Sequence, residues 1–295
     1  MKSLKKNKNQ IWFVLPLLLF LIFFIFGPLI QNFINSFYEF SSFSPVKEFV
    51  GLKNYKSLLQ DRTISVALAN NVRYAVISVI CQVGIGLILA AVLEQKFLRK
   101  VAPFFRVVYF MPVMISISVI ALLFSFIYNP QMGLLNGFLD AIGLGFLKKT
   151  WLGSPSTAIY ATIAMSQWQS TGYIMMLFIV AMQKIPNELY EAAEIDGASS
   201  ISRFFHVTIP QVRETIFVNT LITISGSMLV FNEPYILTKG GGPGISSITL
   251  AVHMYQEGFI KNKMGYASTL AVLIFVITAI VSIIQIVISK TGKDV

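Results

Sequence analysis

Six long apolar runs separated by polar segments set the plan of this chain: approximately Ile11 to Ile34, Ile64 to Leu93, Phe104 to Tyr128, Thr157 to Met182, Thr215 to Phe231 and Tyr266 to Ile288. Each is close to the roughly 20 residues that an α-helix needs to cross a hydrocarbon layer about 30 Å thick. The fifth is the most polar, because Thr220, Thr223, Ser225 and Ser227 dilute it and Pro234 is expected to close it. A helix of that kind is predicted to face protein or a water-filled path. Composition agrees: the 295 residues are 55% hydrophobic and only 12% charged, with mean hydropathy +0.72. That is more apolar surface than one soluble core buries. The expected fold class is all-α, a polytopic membrane protein with six transmembrane helices. Residues 1–10 form a tail and 11–295 the six-helix domain.

Lys2, Lys5, Lys6 and Lys8 precede the first run, which is longer than the apolar core of a signal peptide and is not followed by a small-x-small cleavage pattern. It is therefore read as an uncleaved helix with a cytoplasmic start. The Lys and Arg residues on that side modestly outnumber those on the other. The dense clusters in the short tail and in Lys96, Arg99, Lys100 and Arg106 carry most weight. Six spans return the C-terminus to the cytoplasm. The net charge of +10 suits anionic lipid headgroups and requires no nucleic acid. Arg73, near the outer start of the second helix, can snorkel to the interface. The segment Glu39 to Arg62 is long enough for a small structured cap in which Phe40, Phe43, Phe49 and Tyr55 pack on helix ends.

The segment from Glu188 to Pro210 is the anomaly, since Glu188, Glu191, Glu194 and Asp196 crowd between two apolar runs. Pro186 ends the preceding register, Asn187 is expected to cap a new helix, and Glu188 and Glu191 favour its N-terminal end. Gly197 suits a left-handed terminus, after which Ser199 or Ser200 starts a second short helix that Pro210 stops. This segment, about 184–213, thus reads as helix, turn, helix on the cytoplasmic side. Leu189, Ala192, Ala193 and Ile195 offer apolar contacts rimmed by carboxylates. It is either a docking element for a partner or an interfacial loop helix with solvated charges.

Catalytic chemistry finds no purchase. The chain lacks G-x-x-x-x-G-K-[ST], the string whose amides, Lys and hydroxyl hold nucleotide phosphates. Gly240 to Gly244 has no following Lys-Ser or Lys-Thr. Its members Gly241, Gly242 and Pro243 are either a flexible turn after the fifth helix or an outer loop that touches a partner or lines a gate. His206 and His253 are far apart in sequence and lack metal-spaced companions, and each reads as a surface histidine. No metal site is expected. Cys81, the single cysteine, excludes an internal disulfide and reads as a packing residue.

Glu191-Ala192-Ala193, three residues, Gly197, nine residues, then Val207-Thr208-Ile209-Pro210 resembles the EAA signature of permease subunits of binding-protein-dependent ABC importers. Val207 and Ile209 stand for the usual Ile and Leu. "FVGLKNY" (Phe49 to Tyr55), "FFRVVYFMP" (Phe104 to Pro112), "GLLNGFL" (Gly133 to Leu139), "IPNELYEAAEIDGAS" (Ile185 to Ser199) and "YILTKGGGP" (Tyr235 to Pro243) extend the resemblance over nearly the whole chain, to the maltose-type carbohydrate permeases. Asn71 departs from the family's common Thr.

The resemblance implies a type I ABC importer permease fold and a cytoplasmic coupling helix seated in a cleft of an ATPase. Its contact residues are Glu188, Glu191, Ala192, Ala193, Asp196, Gly197, Ala198 and Pro210. It implies a second homologous permease, a pair of ATPase subunits that use ATP and Mg, and an extracytoplasmic substrate-binding protein. The Lys, Asn, Ile and Phe richness suits an AT-rich, Gram-positive genome, in which that binding protein is a lipoprotein. No cofactor is expected on this chain, which is read as a transport subunit and not an enzyme.

The expected location is the bacterial cytoplasmic membrane, the substrate an oligosaccharide or sugar derivative, with glycerol phosphate or another polyol as the alternative. Gln167, Trp168, Gln169 and Tyr173 on the fourth helix, with Asn232, Glu233 and Tyr235, supply the aromatic faces and polar groups a sugar needs. Interhelical hydrogen bonding explains the same amides. An ion-coupled carrier would show repeats or buried carboxylates, and an intramembrane enzyme would need catalytic groups within the spans. Neither accounts for the spaced signature.

Overall fold

The computed structural model describes residues 8–44 and 46–291. Lys2, Lys5 and Lys6, used above for orientation, lie outside them, as does most of the 1–10 tail. The chain divides into two compact units, one built from the described residues through Asp61 with Met254–Val276, the other from Arg62–His253 with the residues after Val276.

In the first unit, α1 (Lys8–Leu21) passes through a π segment, Ile22–Phe26, into α2 (Gly27–Asn35). The apolar window within Phe13–Asn35 has none of its residues buried in the chain. Beyond it, β1 (Tyr38–Glu39) pairs antiparallel with β2 (Glu48–Phe49), and α3 (Lys53–Gln60) follows. The two-strand ladder departs from an all-helical expectation only locally. Buried Asn54 fixes this cap by donating from Nδ2 to the carbonyls of Ser36 (2.9 Å) and Tyr38 (3.0 Å). Phe49 packs edge-on against Tyr38, Tyr55 against Phe37, and Phe40 lies beneath the Lys47 ammonium. Phe43 is exposed.

The second unit opens with one long helical run: α4 (Arg62–Ser78), a π segment (Val79–Ile85) and α5 (Gly86–Leu93). It continues with α6 (Ala102–Phe110), a 3-10 turn (Met111–Met114), α7 (Ile117–Ile127), α8 (Leu134–Ala141) and α9 (Ala158–Met182). After α9 come α10 (Asn187–Ile195), α11 (Ser200–Arg203) and α12 (Ile209–Gln211). Then follow α13 (Arg213–Met228), α14 (Asn232–Leu237) and the start of α15 (Leu250–Tyr255); the π segment at Gln256–Ile260 and the first part of α16 (Met264–Thr291), through Val276, belong to the first unit, and the rest of α16 to the second. The core gathers on α9, whose Ile174, Met175, Phe178, Ile179 and Met182 bury against Val83, Leu87, Ala90 and Leu93. Gly172 lets α9 lie directly on α6, since a Cβ there would overlap the Tyr109 carbonyl. Small residues at such contacts let helix backbones approach within a membrane.

Among the described residues, four helices are long and apolar enough to cross a membrane, or five if one bent pair counts as a single span. The count of six is therefore not reproduced, and two runs explain the difference. The third is broken: Ala102–Met114 and Ile117–Ile127 meet at 99°. Ile115 (ψ 138°) and Ser116 (ψ 134°) are extended there and interrupt the helical ladder. The fourth, α9, is one unbroken helix of 25 residues, about 37 Å at 1.5 Å per residue. Its polar middle keeps it outside that group, and its burial explains why polar residues are tolerated, because α5, α6 and the π segment shield it.

The fifth run also differs from expectation. The helix breaks at Leu229–Phe231, and Pro234 sits inside α14 instead of closing the span. Thr223 and Ser227 of this run are buried against protein, as its polarity predicts.

Candidate functional site

Two surfaces collect the candidate residues. The first is the segment from Asn187 to Gln211. Pro186 occupies the position before α10, and Asn187 is the first helical residue instead of its cap. Glu188 lies in the first turn, where a carboxylate is favoured. The other end closes as a Schellman motif: the Gly197 amide donates to the Glu194 carbonyl (3.1 Å) and the Ala198 amide to the Ala193 carbonyl (2.8 Å). Gly197 has φ +79°, the left-handed conformation that its place in the sequence predicts.

Ser199 then caps α11, its hydroxyl accepting from the Ser202 amide at 3.2 Å. Pro210 does not stop this second helical stretch. It lies in the first turn of α12, and the break comes at Val212 (φ −96°, ψ 9°). The two halves are tied together: Tyr190 Oη and Thr208 Oγ1 are 3.0 Å apart, and Arg203 bridges to Glu194 at 3.0 Å. Phe204, Ile209 and Tyr190 pack against the α5/α9 core, whereas Glu188, Leu189, Glu191, Ala192, Ile195 and Asp196 remain exposed. The result is a braced helix presented outward on a firm base. His206 Nδ1 pairs locally with the Ser202 carbonyl (2.9 Å).

The neighbouring loop joins this surface. Lys96 reaches Glu194 (3.6 Å), and Glu94 accepts from both Arg106 and Gln183 Nε2. Sequence reasoning did not single out Glu94, although a carboxylate ending an apolar run beside basic residues is a readable signal.

The second surface surrounds the break in the fifth run. Asn71, fully buried on α4, donates from Nδ2 to the carbonyls of Ser227 (2.7 Å) and Met228 (3.2 Å) and accepts from the Leu250 amide (3.0 Å). Asn70 donates to the Ser246 (2.9 Å) and Ile248 (2.8 Å) carbonyls and accepts from Arg73 (2.6 Å). The pair thus satisfies the backbone groups that the broken helix and the following loop expose, as irregular backbone at membrane depth demands. Two adjacent asparagines in an apolar run were the available signal, and only Asn71's departure from a family pattern was noticed. Arg73, expected to snorkel, braces Asn70.

The glycine loop is not a loose turn. Gly240, Gly241, Gly242 and Gly244 all have positive φ. The amides of Gly241 and Gly242 donate to the Thr238 hydroxyl (3.2 Å) and carbonyl (2.9 Å), while the Ser247 amide donates to Gly241 (2.7 Å). Gly241 and Gly242 pack so closely on Ile248 and Ser247 that a side chain would collide. Pro243 stands at the half-exposed tip. His253, expected on the surface, is buried in α15.

On α9, four predicted residues point different ways. Gln167 spans a polar network, donating to Ser78 Oγ (3.1 Å) and accepting from Gln82 Nε2 (3.0 Å); Gln169, buried, donates to the Ile115 carbonyl (3.3 Å) at the α6/α7 bend. Trp168 and Tyr173 are exposed, and Trp168 stands 5.5 Å from the Phe124 ring. Glu233 lies on α14, which packs against α7 and α9. Asn232 is exposed, and Tyr235 stacks on Phe231 at 4.9 Å. The arrangement offers aromatic faces beside a carboxylate and an amide, the groups that bind polyhydroxylated ligands. Among the described residues, no three His, Cys, Asp or Glu side chains gather to hold a metal ion.

The binding-protein-dependent transport system inner membrane component family matches residues 82–291. The chain is 55% identical to the probable ABC transporter permease protein YurN of Bacillus subtilis, over 98% of this chain and 99% of that protein. It is 32% identical to the multiple sugar-binding transport system permease protein MsmF of Streptococcus mutans, covering 98% of each. A bacterial alginate ABC transporter, solved in complex with an alginate pentasaccharide-bound periplasmic protein, superposes with TM-score 0.82 at 19% identity, over 96% of this chain and 94% of that one. The chain has the type I ABC importer permease fold and belongs to the family of binding-protein-dependent transport system inner membrane components.

Proposed function

We propose that this chain is the permease subunit of an ATP-driven importer that carries a carbohydrate, an oligosaccharide or sugar derivative, by alternating access. The observation that carries the reading is the outward-facing α10, capped by Gly197 and braced through Tyr190 and Arg203. A rigid helix on a core-anchored base transmits a push that a mobile loop would absorb. In this reading Glu188, Glu191, Ala192, Ala193, Asp196 and Ala198 contact a partner ATPase, with Gly197 and Pro210 setting the geometry. ATP and Mg are used on that partner pair. A second homologous permease completes the pathway, an extracytoplasmic binding protein delivers the sugar, and both termini are cytoplasmic. The relatives named for sugar transport and the alginate-importer fold support a carbohydrate. Trp168, Tyr173, Asn232, Glu233 and Tyr235 are the proposed sugar contacts, while Gln167 and Gln169 shape the helix that presents them.

The test is ATP hydrolysis by the co-purified complex in liposomes, with and without a binding protein loaded from a panel of oligosaccharides, glycerol phosphate and polyols. Stimulation by one sugar-loaded binding protein is expected. Stimulation by glycerol phosphate alone would replace the substrate assignment, and sugar passage with no associated ATPase would overturn the importer reading.

A further inference from the structure

We propose that α8 is a membrane-surface anchor, with Leu134, Phe138 and Ile142 set into the boundary between lipid headgroups and acyl chains beside the end of α7. Leu134 and Phe138 lie four residues apart on one side of the helix, and Ile142 continues the spacing at its C-cap. All three are more than half exposed, as are Met132 (87%) and Phe146 (79%) in the segments that flank the helix. Single exposed apolar side chains are ordinary, but a continuous stripe on a fixed helix marks an interaction surface.

The helix is fixed from its other side. Buried Asn136 donates from Nδ2 to the carbonyls of Pro130 and Lys149 (both 3.1 Å) and accepts from Trp151 Nε1 (2.8 Å). Asp140, one turn after Asn136 on that side, pairs with Lys148 at 2.7 Å. The helix therefore has a polar, protein-held side and an apolar side, the division expected of a helix lying in the plane of a membrane surface.

Continuity identifies the occupant as lipid. α7 exposes Val119, Leu122 and Phe126 along a helix apolar enough to form part of a membrane span. Only residues 128–133 separate its end from α8, a reach of at most about 20 Å even if extended. The Gly133 amide folds that link back onto the Asn129 carbonyl (2.9 Å). The stripe thus emerges where this exposed apolar surface ends, and Lys149, beside the Asp140-paired Lys148, supplies positive charge for headgroup phosphates.

Single cysteines at Leu134, Phe138 and Ile142, and at Gly137 and Asp140 on the polar side, would be spin-labelled in a Cys81→Ser background. The full-length protein, with the subunits that purify with it, would be placed in phosphatidylethanolamine/phosphatidylglycerol vesicles. Collision with oxygen, which concentrates in lipid, should exceed collision with a water-soluble nickel chelate at Leu134→Cys, Phe138→Cys and Ile142→Cys. Gly137→Cys and Asp140→Cys should show the reverse. Nickel-dominated collision along the stripe would show that it faces water. Shielding from both reagents would show that another protein covers it. Either result overturns the anchor, and neither bears on whether the chain imports a sugar.

Discussion

Asn71 Nδ2 donates to the Ser227 carbonyl at 2.7 Å, from the middle of α4 to the last turn of α13. With its bonds to Met228 and Leu250, this one side chain meets the last carbonyls of α13 and the first amide of α15. The broken fifth helix is therefore stable because a neighbouring helix supplies the partners that its own backbone lacks.

Replacing Asn71 by Ala leaves two carbonyls and one amide without these partners in a buried site. At about 1–3 kcal/mol for each unmet buried group, the variant should lose several degrees in thermal unfolding and yield less assembled complex. Asn71→Asp retains the acceptor for Leu250 but sets a carboxylate against two carbonyls, so it should rescue nothing. Thermal shift and yield of purified complex check both, and wild-type behaviour of Asn71→Ala would remove the clamp from the account.

Gly197 has open space around its Cα, so the penalty for a side chain there is conformational and not steric. Gly197→Asn should remain close to wild type because Asn visits the left-handed region readily. Gly197→Val should cost about 1–2 kcal/mol in the cap and reduce the ratio of binding-protein-stimulated to basal ATP hydrolysis. Equal coupling in both variants would separate the left-handed cap from transmission.

Trp168 and Gln167 are neighbours with opposite expectations. Trp168→Ala removes an exposed aromatic face and should raise the sugar concentration for half-maximal transport severalfold, with little change in thermal stability. Gln167→Ala breaks the bonds to Ser78 and Gln82 and should lower stability by about 1–3 kcal/mol, leaving apparent affinity nearly unchanged. Uptake titrations and thermal shifts on the same preparations distinguish the two roles.

Gly172→Ala would force α9 away from the Tyr109 carbonyl. Overpacking at a fixed contact costs about 1–3 kcal/mol, here at the helix on which the core gathers. The expected result is a lower unfolding temperature and poor recovery of the complex, with Gly172→Ser no better.

The amino-acid sequence determined the features that depend on local chemistry. Apolar runs long enough to cross a bilayer marked most of the spans, because hydrocarbon excludes unsatisfied backbone over a fixed thickness. The spacing of Glu191, Gly197 and Pro210 located the outward helix, and Gly197 reads as a left-handed cap because no other residue type adopts that conformation as cheaply. Ser199 announced the next helix for a similarly local reason.

Tertiary structure decided whatever depended on a distant partner. The bend at Ile115–Ser116 and the break at Leu229–Phe231 are stabilised by Gln169 and Asn71, which lie far away in the chain. The glycine loop, loose by composition, is held by Asn70 and Thr238. Gln167 and Trp168, adjacent and alike as candidates, are separated by one helical step into a buried network and an exposed face. Hydropathy ranks residues by their own chemistry, whereas the cost of a polar group at membrane depth depends on which groups fold against it.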